Sequence, residues 1–156
     1  DKEQALELFK QLFNDSLKLR MRSDVEVGGL LSGGLDSSLI LSDLDKLGFT
    51  NDGSYKAFSA VFEDKELSEK KYIDDLNKKF NYNQFFIHLE PDDILSHINN
   101  IFYYMDEPFW QPSFLQYMIY KKVFEQTNVK VLLNGQGSDE LFGGYTSHYD
   151  TLFIQV

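Results

Sequence analysis

Cysteine is absent from this sequence. Its absence excludes a disulfide framework, a cysteine-ligated zinc site and a thiol nucleophile. Long apolar runs are absent as well, since no stretch approaches the roughly 20 residues that cross a bilayer. No basic-then-apolar leader opens the sequence either. Together these absences predict a soluble, cytoplasmic protein that does not interact with membranes.

Basic residues are few, with 15 Lys and Arg against 25 Asp and Glu and a formal net charge of −10. Nucleic acid is therefore not expected as a partner, because phosphate backbones are bound by clustered Lys and Arg. A small nucleotide stays open as a ligand. Main-chain N–H groups and a metal ion can hold its phosphates without a basic surface.

Apolar residues are plentiful, since 42% of the 156 residues are hydrophobic and 14 of them are Phe. This supply predicts a folded chain, and the length predicts one domain over residues 1–156. The sequence begins at Asp1 without an initiator Met. We therefore expect it to be part of a longer protein.

Short apolar segments alternate with segments of helical periodicity along the whole chain. We predict strands over 25–31, 57–62, 85–89 and 129–133, and helices over 5–17, 37–47, 72–80, 94–105 and 115–123. The last two helices are separated by Pro108 and an aromatic loop. Alternating strands and helices predict parallel pairing with right-handed crossovers, which gives a three-layer α/β domain.

The segment 32–38, SGGLDSS, lies between the first predicted strand and the helix after it. Main-chain N–H groups and a helix dipole converge on an anion at such a point. The glycines can adopt positive φ and let the backbone approach a ligand, while the serines offer hydroxyl donors. The candidate phosphate-binding residues are Ser32, Gly33, Gly34, Ser37 and Ser38.

Asp36 is the unusual member of this segment. A carboxylate beside phosphate repels it unless a cation lies between them, so Asp36 is interpreted as a Mg²⁺ ligand. The segment lacks both the Gly-Lys-Ser/Thr ending of a Walker loop and the third glycine of the dinucleotide fingerprint. Taken alone, its glycine pair is also compatible with an ordinary turn.

A second glycine-rich segment, 134–145, follows the last predicted strand. Ligands of open α/β sheets gather at the carboxyl ends of the strands. Asp139 and Glu140 supply acceptors suited to Mg²⁺ or an amine. The alternative interpretation of these two acids is a helix N-terminus, where carboxylates stabilise the dipole.

Together the two segments resemble a known family. SGGLDSS resembles the pyrophosphatase loop of N-type ATP pyrophosphatases, and LNGQGSDELFGGY resembles the second signature of glutamine-hydrolysing asparagine synthetases, in the same order. The segments 57–62 and 106–109 resemble the family's second strand and its acidic-Pro loop. The resemblance extends from the first helix to Tyr145 and implies an adenine nucleotide alpha hydrolase-like fold.

In that fold the first strand lies between the second and the fourth. The implied reaction uses ATP and Mg²⁺ to activate the side-chain carboxylate of aspartate as an acyl-adenylate. Pyrophosphate leaves, and ammonia then forms the amide. The implied catalytic residues are Asp36, Asp139 and Glu140, and the first two would hold the metal. The implied nucleotide-site residues are Leu31, Ser32, Gly33, Gly34, Asp36, Ser37, Ser38, Ala60, Asn134 and Gly135.

The sequence also departs from the family. Intact members carry an N-terminal glutaminase domain with a Cys nucleophile, and their synthetase domain continues through further helices that supply a Lys to the adenylation site. We therefore expect a domain truncated at the C-terminus whose glutaminase is a separate domain or subunit. Gln136 stands where one branch has Glu, and 109–114 holds no Arg to clamp a carboxylate. A β-lactam synthetase, a peptide-cyclising enzyme and a non-catalytic nucleotide-binding module therefore remain alternatives.

Overall fold

The computed structural model describes residues 1–61, 70–106 and 112–148. Each predicted strand and helix has a counterpart there, with boundaries moved by a few residues. Phe62 and the loop around Pro108 lie outside the described residues. In chain order the elements are α1 (Lys2–Arg20), β1 (Val27–Leu30), α2 (Leu35–Lys46), β2 (Lys56–Val61), α3 (Lys70–Lys79), β3 (Asn83–His88), α4 (Pro91–Met105), α5 (Pro112–Gln126), β4 (Val131–Leu133) and α6 (Ser138–Phe142).

The strands form one parallel sheet in the order β3-β2-β1-β4. The predicted position of the first strand, between the second and the fourth, is confirmed. From β1 the chain moves to β2 and β3 on one side and returns later to β4 on the other. The strand order therefore reverses beside β1, and a crevice opens there at the carboxyl ends of the strands.

Helices cover both faces of the sheet, as predicted for three layers. On one face, Leu17, Leu44 and Ile73 from α1, α2 and α3 belong to one buried apolar cluster. On the other face, Ile101 of α4 and Met118 of α5 belong to a second cluster. Burial of these side chains stabilises the domain through the hydrophobic effect. Within the described residues, no helix is long and apolar enough to span a bilayer.

The ends of α2 follow from its glycines. Gly34 is the N-cap in an extended conformation, with φ −68° and ψ 167°. The helix therefore begins at Leu35, earlier than the predicted start at Ser37. Gly48 has φ 86°, a left-handed conformation that ends helices, and α2 ends at Lys46, one residue before the predicted end at 47.

Tyr55 is buried beside β1, next to Gly29, which has no side chain. A Cβ atom placed on Gly29 would lie 2.3 Å from the Tyr55 hydroxyl oxygen, so the phenol occupies the space that Gly29 leaves. The side chain is 5% exposed. Burial disfavours the phenolate and raises the pKa of Tyr55 above its ordinary value.

The raised pKa of Tyr55 predicts alkaline destabilisation. Below about pH 10 the phenol is neutral in both states, and above it only the unfolded chain gains by ionising. The free energy of unfolding should therefore fall from about pH 9 to about pH 11, and Tyr55→Phe should reduce that fall. Chemical denaturation at both pH values tests this. Tyr72→Phe, at an exposed position, is the control, and an equal effect of both variants would contradict the prediction.

Candidate functional site

The connection from β1 to α2 is held in shape by its own serines. The N–H of Gly34 donates to Ser32 Oγ at 3.2 Å, and Ser38 Oγ donates to the Gly34 carbonyl at 2.7 Å. Ser32 Oγ and Ser37 Oγ lie 3.1 Å apart. Hydrogen bonds inside the loop therefore engage these hydroxyls, which were predicted as phosphate donors.

Only one glycine of the pair adopts positive φ. Gly33 has φ 87°, whereas Gly34 is extended. The expectation of positive φ is therefore confirmed at Gly33, where a side chain would be strained. After this turn, the first N–H groups of α2 have no partner inside the helix and point toward its N-terminal end. A helix N-terminus with this geometry attracts anions.

The second glycine-rich segment touches the first. A Cβ atom on Gly135 would lie 2.9 Å from Asp36 Cβ and 3.3 Å from the Ser37 nitrogen. The main chain after β4 thus packs directly on the N-terminal end of α2. The Asn134 side-chain oxygen accepts a hydrogen bond from the Gln136 N–H at 3.1 Å and closes the turn. Segments far apart in the sequence therefore form one site.

A cavity of about 260 Å³ lies at this junction. Its lining includes both acids predicted as metal ligands, Asp36 in the first turn of α2 and Asp139 in the first turn of α6. Gln116 of α5 also faces it, although a single glutamine in a helical pattern gave no signal in the sequence. The lining residues are Leu30, Ser32, Gly34, Asp36, Ser37, Gln116, Asn134, Gly135, Gln136 and Asp139.

The two acids of α6 differ in placement. Both occupy its first turn, so the alternative interpretation as a helix N-terminus also holds. Asp139 lies against the backbone of Gly144, where a Cβ atom would be 1.9 Å from its Oδ1. Glu140 is exposed and is not among the residues that line the cavity.

Glu140 interacts with its own turn instead. Its carboxylate accepts hydrogen bonds from its own main-chain N–H and from the Tyr145 hydroxyl, the latter at 2.9 Å, and both lower the pKa of Glu140. The structure therefore brings Asp36 and Asp139 together and leaves Glu140 outside. Its catalytic role stays a prediction.

Leu31 and Ala60 flank the site where β1 and β2 end. Leu31 is buried, and its N–H donates to the Phe58 carbonyl at 2.8 Å. Ala60 is half-buried on the neighbouring strand. Neither lines the cavity of about 260 Å³. In the predicted acidic-Pro loop, Asp106 has φ 55°, and the following residues lie outside the described part of the chain.

A larger cavity, about 710 Å³, adjoins the first between α1, α2 and α6. Its walls are mostly apolar and include Phe9, Phe13 and Phe142. Both cavities share Asp36, Asn134 and Gln136, so a ligand at the junction has room on either side of the Asp36 side chain.

Three features define the class of this domain: its parallel sheet, the glycine loop at a helix N-terminus and the cavity at the strand reversal. The chain is an α/β domain with a glycine-rich loop at the carboxyl end of its central strand, where open parallel sheets bind their ligands. The family model described as asparagine synthase matches residues 8–155. The chain therefore belongs to the asparagine synthase family, as its motifs indicated.

Individual proteins that are similar to this chain carry names from the same family. The chain is 38% identical over 153 residues to a Methanocaldococcus jannaschii protein named as asparagine synthetase [glutamine-hydrolyzing] 2, with 95% of this chain and 28% of that protein covered. It is 32% identical over 142 residues to asparagine synthetase [glutamine-hydrolyzing] 1 of Bacillus subtilis, with 90% and 22% covered. The chain thus spans less than a third of the length of these relatives.

Proposed function

We propose that this chain is the ATP-binding part of an asparagine synthetase. The ligase would activate the side-chain carboxylate of aspartate with ATP and pass the acyl group to ammonia. The observation that carries the proposal is the packing of Gly135 on Asp36 and Ser37, which joins both glycine-rich segments in one cavity. The names of the relatives, glutamine-hydrolysing asparagine synthetases, support the choice of reaction.

The loop 32–38 would receive the pyrophosphate that leaves when the carboxylate attacks the α-phosphorus of ATP. Its serine hydroxyls hold the loop, and the Gly34 N–H donates to one of them. The first main-chain N–H groups of α2 are therefore the donors that remain for phosphate, and the dipole of that helix favours the same anion. Donors fixed in advance stabilise the charge that develops on a leaving group without reorganising. Leu31 and Ala60 would lie beside the nucleoside.

The donor set fits Mg²⁺. The ion takes one or two carboxylates and completes its shell with water and phosphate oxygens. Asp36 and Asp139 supply two carboxylates to one cavity. Within the described residues, no group of three His, Cys, Asp or Glu could form a protein-only metal site. When bound, Mg²⁺ would neutralise phosphate charge.

The amide side chains of Gln116 and Gln136 complete the cavity. Each can donate and accept hydrogen bonds, but an amide cannot take up a proton at neutral pH. Gln136 would therefore orient a reactant, and the ionisable groups in the lining are Asp36 and Asp139. Ammonia would come from a glutaminase domain or subunit, in keeping with the names of the relatives.

Exchange of labelled pyrophosphate into ATP, measured in the intact ligase of which this chain is proposed to be the ATP-binding part, tests the proposal, because exchange requires reversible adenylation of an added acid. We expect exchange with aspartate to exceed that with other carboxylic acids by at least about tenfold, the ratio set by roughly 1.4 kcal/mol of selectivity. Preference for another acid would mean that the chain belongs to an enzyme with a different acyl-adenylating reaction. ATP binding without exchange would make it a nucleotide-binding module and contradict the proposal.

A further inference from the structure

Ser59 is a buried polar residue near the carboxyl end of β2, with 1% of its surface exposed. The pairing of β1 with β2 ends beside it, at Leu30 and Phe58. One further main-chain bond follows, from the Leu31 N–H to the Phe58 carbonyl at 2.8 Å. The two strands therefore part at Ser59, next to the loop 32–38.

The Ser59 hydroxyl takes the place of the next ladder donor. In a continuing parallel ladder, the Leu31 carbonyl would accept from the N–H of Ala60. In the structure this carbonyl accepts from Ser59 Oγ at 2.5 Å. The register of the two strands does not extend to Ala60. A side chain thus satisfies the last carbonyl of the central strand.

Gln84 of β3 fixes the direction of this hydrogen bond. Its Nε2 lies 3.0 Å from Ser59 Oγ, 3.0 Å from the Phe85 carbonyl and 3.3 Å from the Ala57 carbonyl. Carbonyls only accept, so this end of the amide is the donor. Ser59 Oγ therefore accepts from Gln84, and its own hydrogen is directed to Leu31.

This arrangement leaves a main-chain donor at the crevice. In β2 the N–H groups alternate in direction, and that of Ala60 is on the same side as that of Phe58, toward β1. Because the Leu31 carbonyl accepts a hydrogen bond from the Ser59 hydroxyl, the Ala60 N–H makes no ladder hydrogen bond to it. It lies at the edge where ligands of parallel sheets bind. A purine base, with ring nitrogens that accept hydrogen bonds, suits such a donor.

We infer that Ser59, held by Gln84, is a positioning residue that keeps the N–H of Ala60 available to the base of the nucleotide. Ser59 itself makes no contact with the nucleotide. The inference rests on the proposed ATP site, and it adds a residue that determines how the part of this site that contacts the base binds the nucleotide. The phosphate half, in the loop 32–38, is independent of this determinant.

Ser59→Ala tests the inference, with calorimetric titration of the 156-residue chain by ATP and, separately, by pyrophosphate, both with Mg²⁺. Without the Ser59 hydroxyl, the Ala60 N–H would donate a hydrogen bond to the Leu31 carbonyl and extend the pairing of β1 with β2. We expect ATP affinity to fall about tenfold, the order expected for one lost hydrogen bond, and pyrophosphate affinity to change by less than about twofold. Ser59→Thr keeps a hydroxyl and should restore ATP affinity. Thermal unfolding verifies that each variant is folded.

The outcomes are distinguishable. Equal losses for ATP and pyrophosphate would make Ser59 a structural residue and overturn the inference, as would unchanged ATP affinity in Ser59→Ala. Should Ser59→Thr not fold, the ratio of the two affinities in Ser59→Ala still decides. A native chain that binds neither ligand would refute the proposed function itself, and the role of Ser59 would fall with it.

Discussion

Gly33→Val is expected to abolish ATP binding while the domain stays folded. Gly33 has φ 87°, and a β-branched residue is an outlier in that region. The strain costs on the order of 1–3 kcal/mol, and the new side chain would also displace the phosphates from the loop. Calorimetry with ATP and Mg²⁺ measures the loss, and circular dichroism verifies the fold.

Two further variants separate strain from obstruction. Gly48→Val imposes the same kind of strain at φ 86°, at the far end of α2, so it should lower stability and keep ATP affinity. Gly34→Val adds little strain, because Gly34 is extended and a Cβ there meets only Ser32 Oγ, at 3.2 Å. We expect it to abolish ATP binding as well, by obstruction alone. Unchanged affinity in both loop variants would remove the phosphate role of this loop.

Asp36→Asn and Asp139→Asn are each expected to weaken Mg²⁺-dependent ATP binding by about tenfold or more, because each removes one charge from a shared ion. The two residues line one cavity from the first turns of α2 and α6. The double variant should therefore lose less than the sum of the single losses, since the second substitution acts on a site that is already impaired. ATP titrations at several Mg²⁺ concentrations measure all four corners of the cycle.

Asp15→Asn is the matched control for the change in charge. Asp15 lies on α1, pairs with Lys18 at 3.7 Å and is well exposed, so its loss should leave ATP affinity unchanged within about twofold. Strictly additive losses for Asp36 and Asp139 would mean that they serve no common ion. An equal effect of Asp15→Asn would assign the losses to net charge instead of coordination.

Much of the fold could be predicted, because β1 and its loop are strongly marked. An apolar run that ends in SGGLDSS shows where a buried strand stops and a helix begins. The start of α2 was misplaced, since Gly34 and Ser32 set it through hydrogen bonds that periodicity does not report. The neighbours of β1 came from the resemblance, because apolar patterns do not specify which parallel strands pair.

The site was only partly predictable. Asp36 was found because a carboxylate inside a phosphate loop is unusual, and Asp139 because it supplies an acceptor in the second glycine-rich segment. Gln116 reaches the cavity only through the tertiary placement of α5. Glu140 was grouped with Asp139, but consecutive helical residues point about 100° apart, and Glu140 faces Tyr145. Ser59 was hidden in an apolar strand, since its role depends on where pairing stops.

The contact between Gly135 and Asp36 also ties the site to the folding of the sheet. Gly135 follows β4, an edge strand of the described sheet, and β4 has only three residues. Short edge strands open more readily than central ones, and undocking of β4 would remove half the cavity while leaving the loop 32–38 in place. A nucleotide that needs both halves would bind only the fully docked state. It would therefore stabilise the docked position of this short edge strand and raise the melting temperature by mass action.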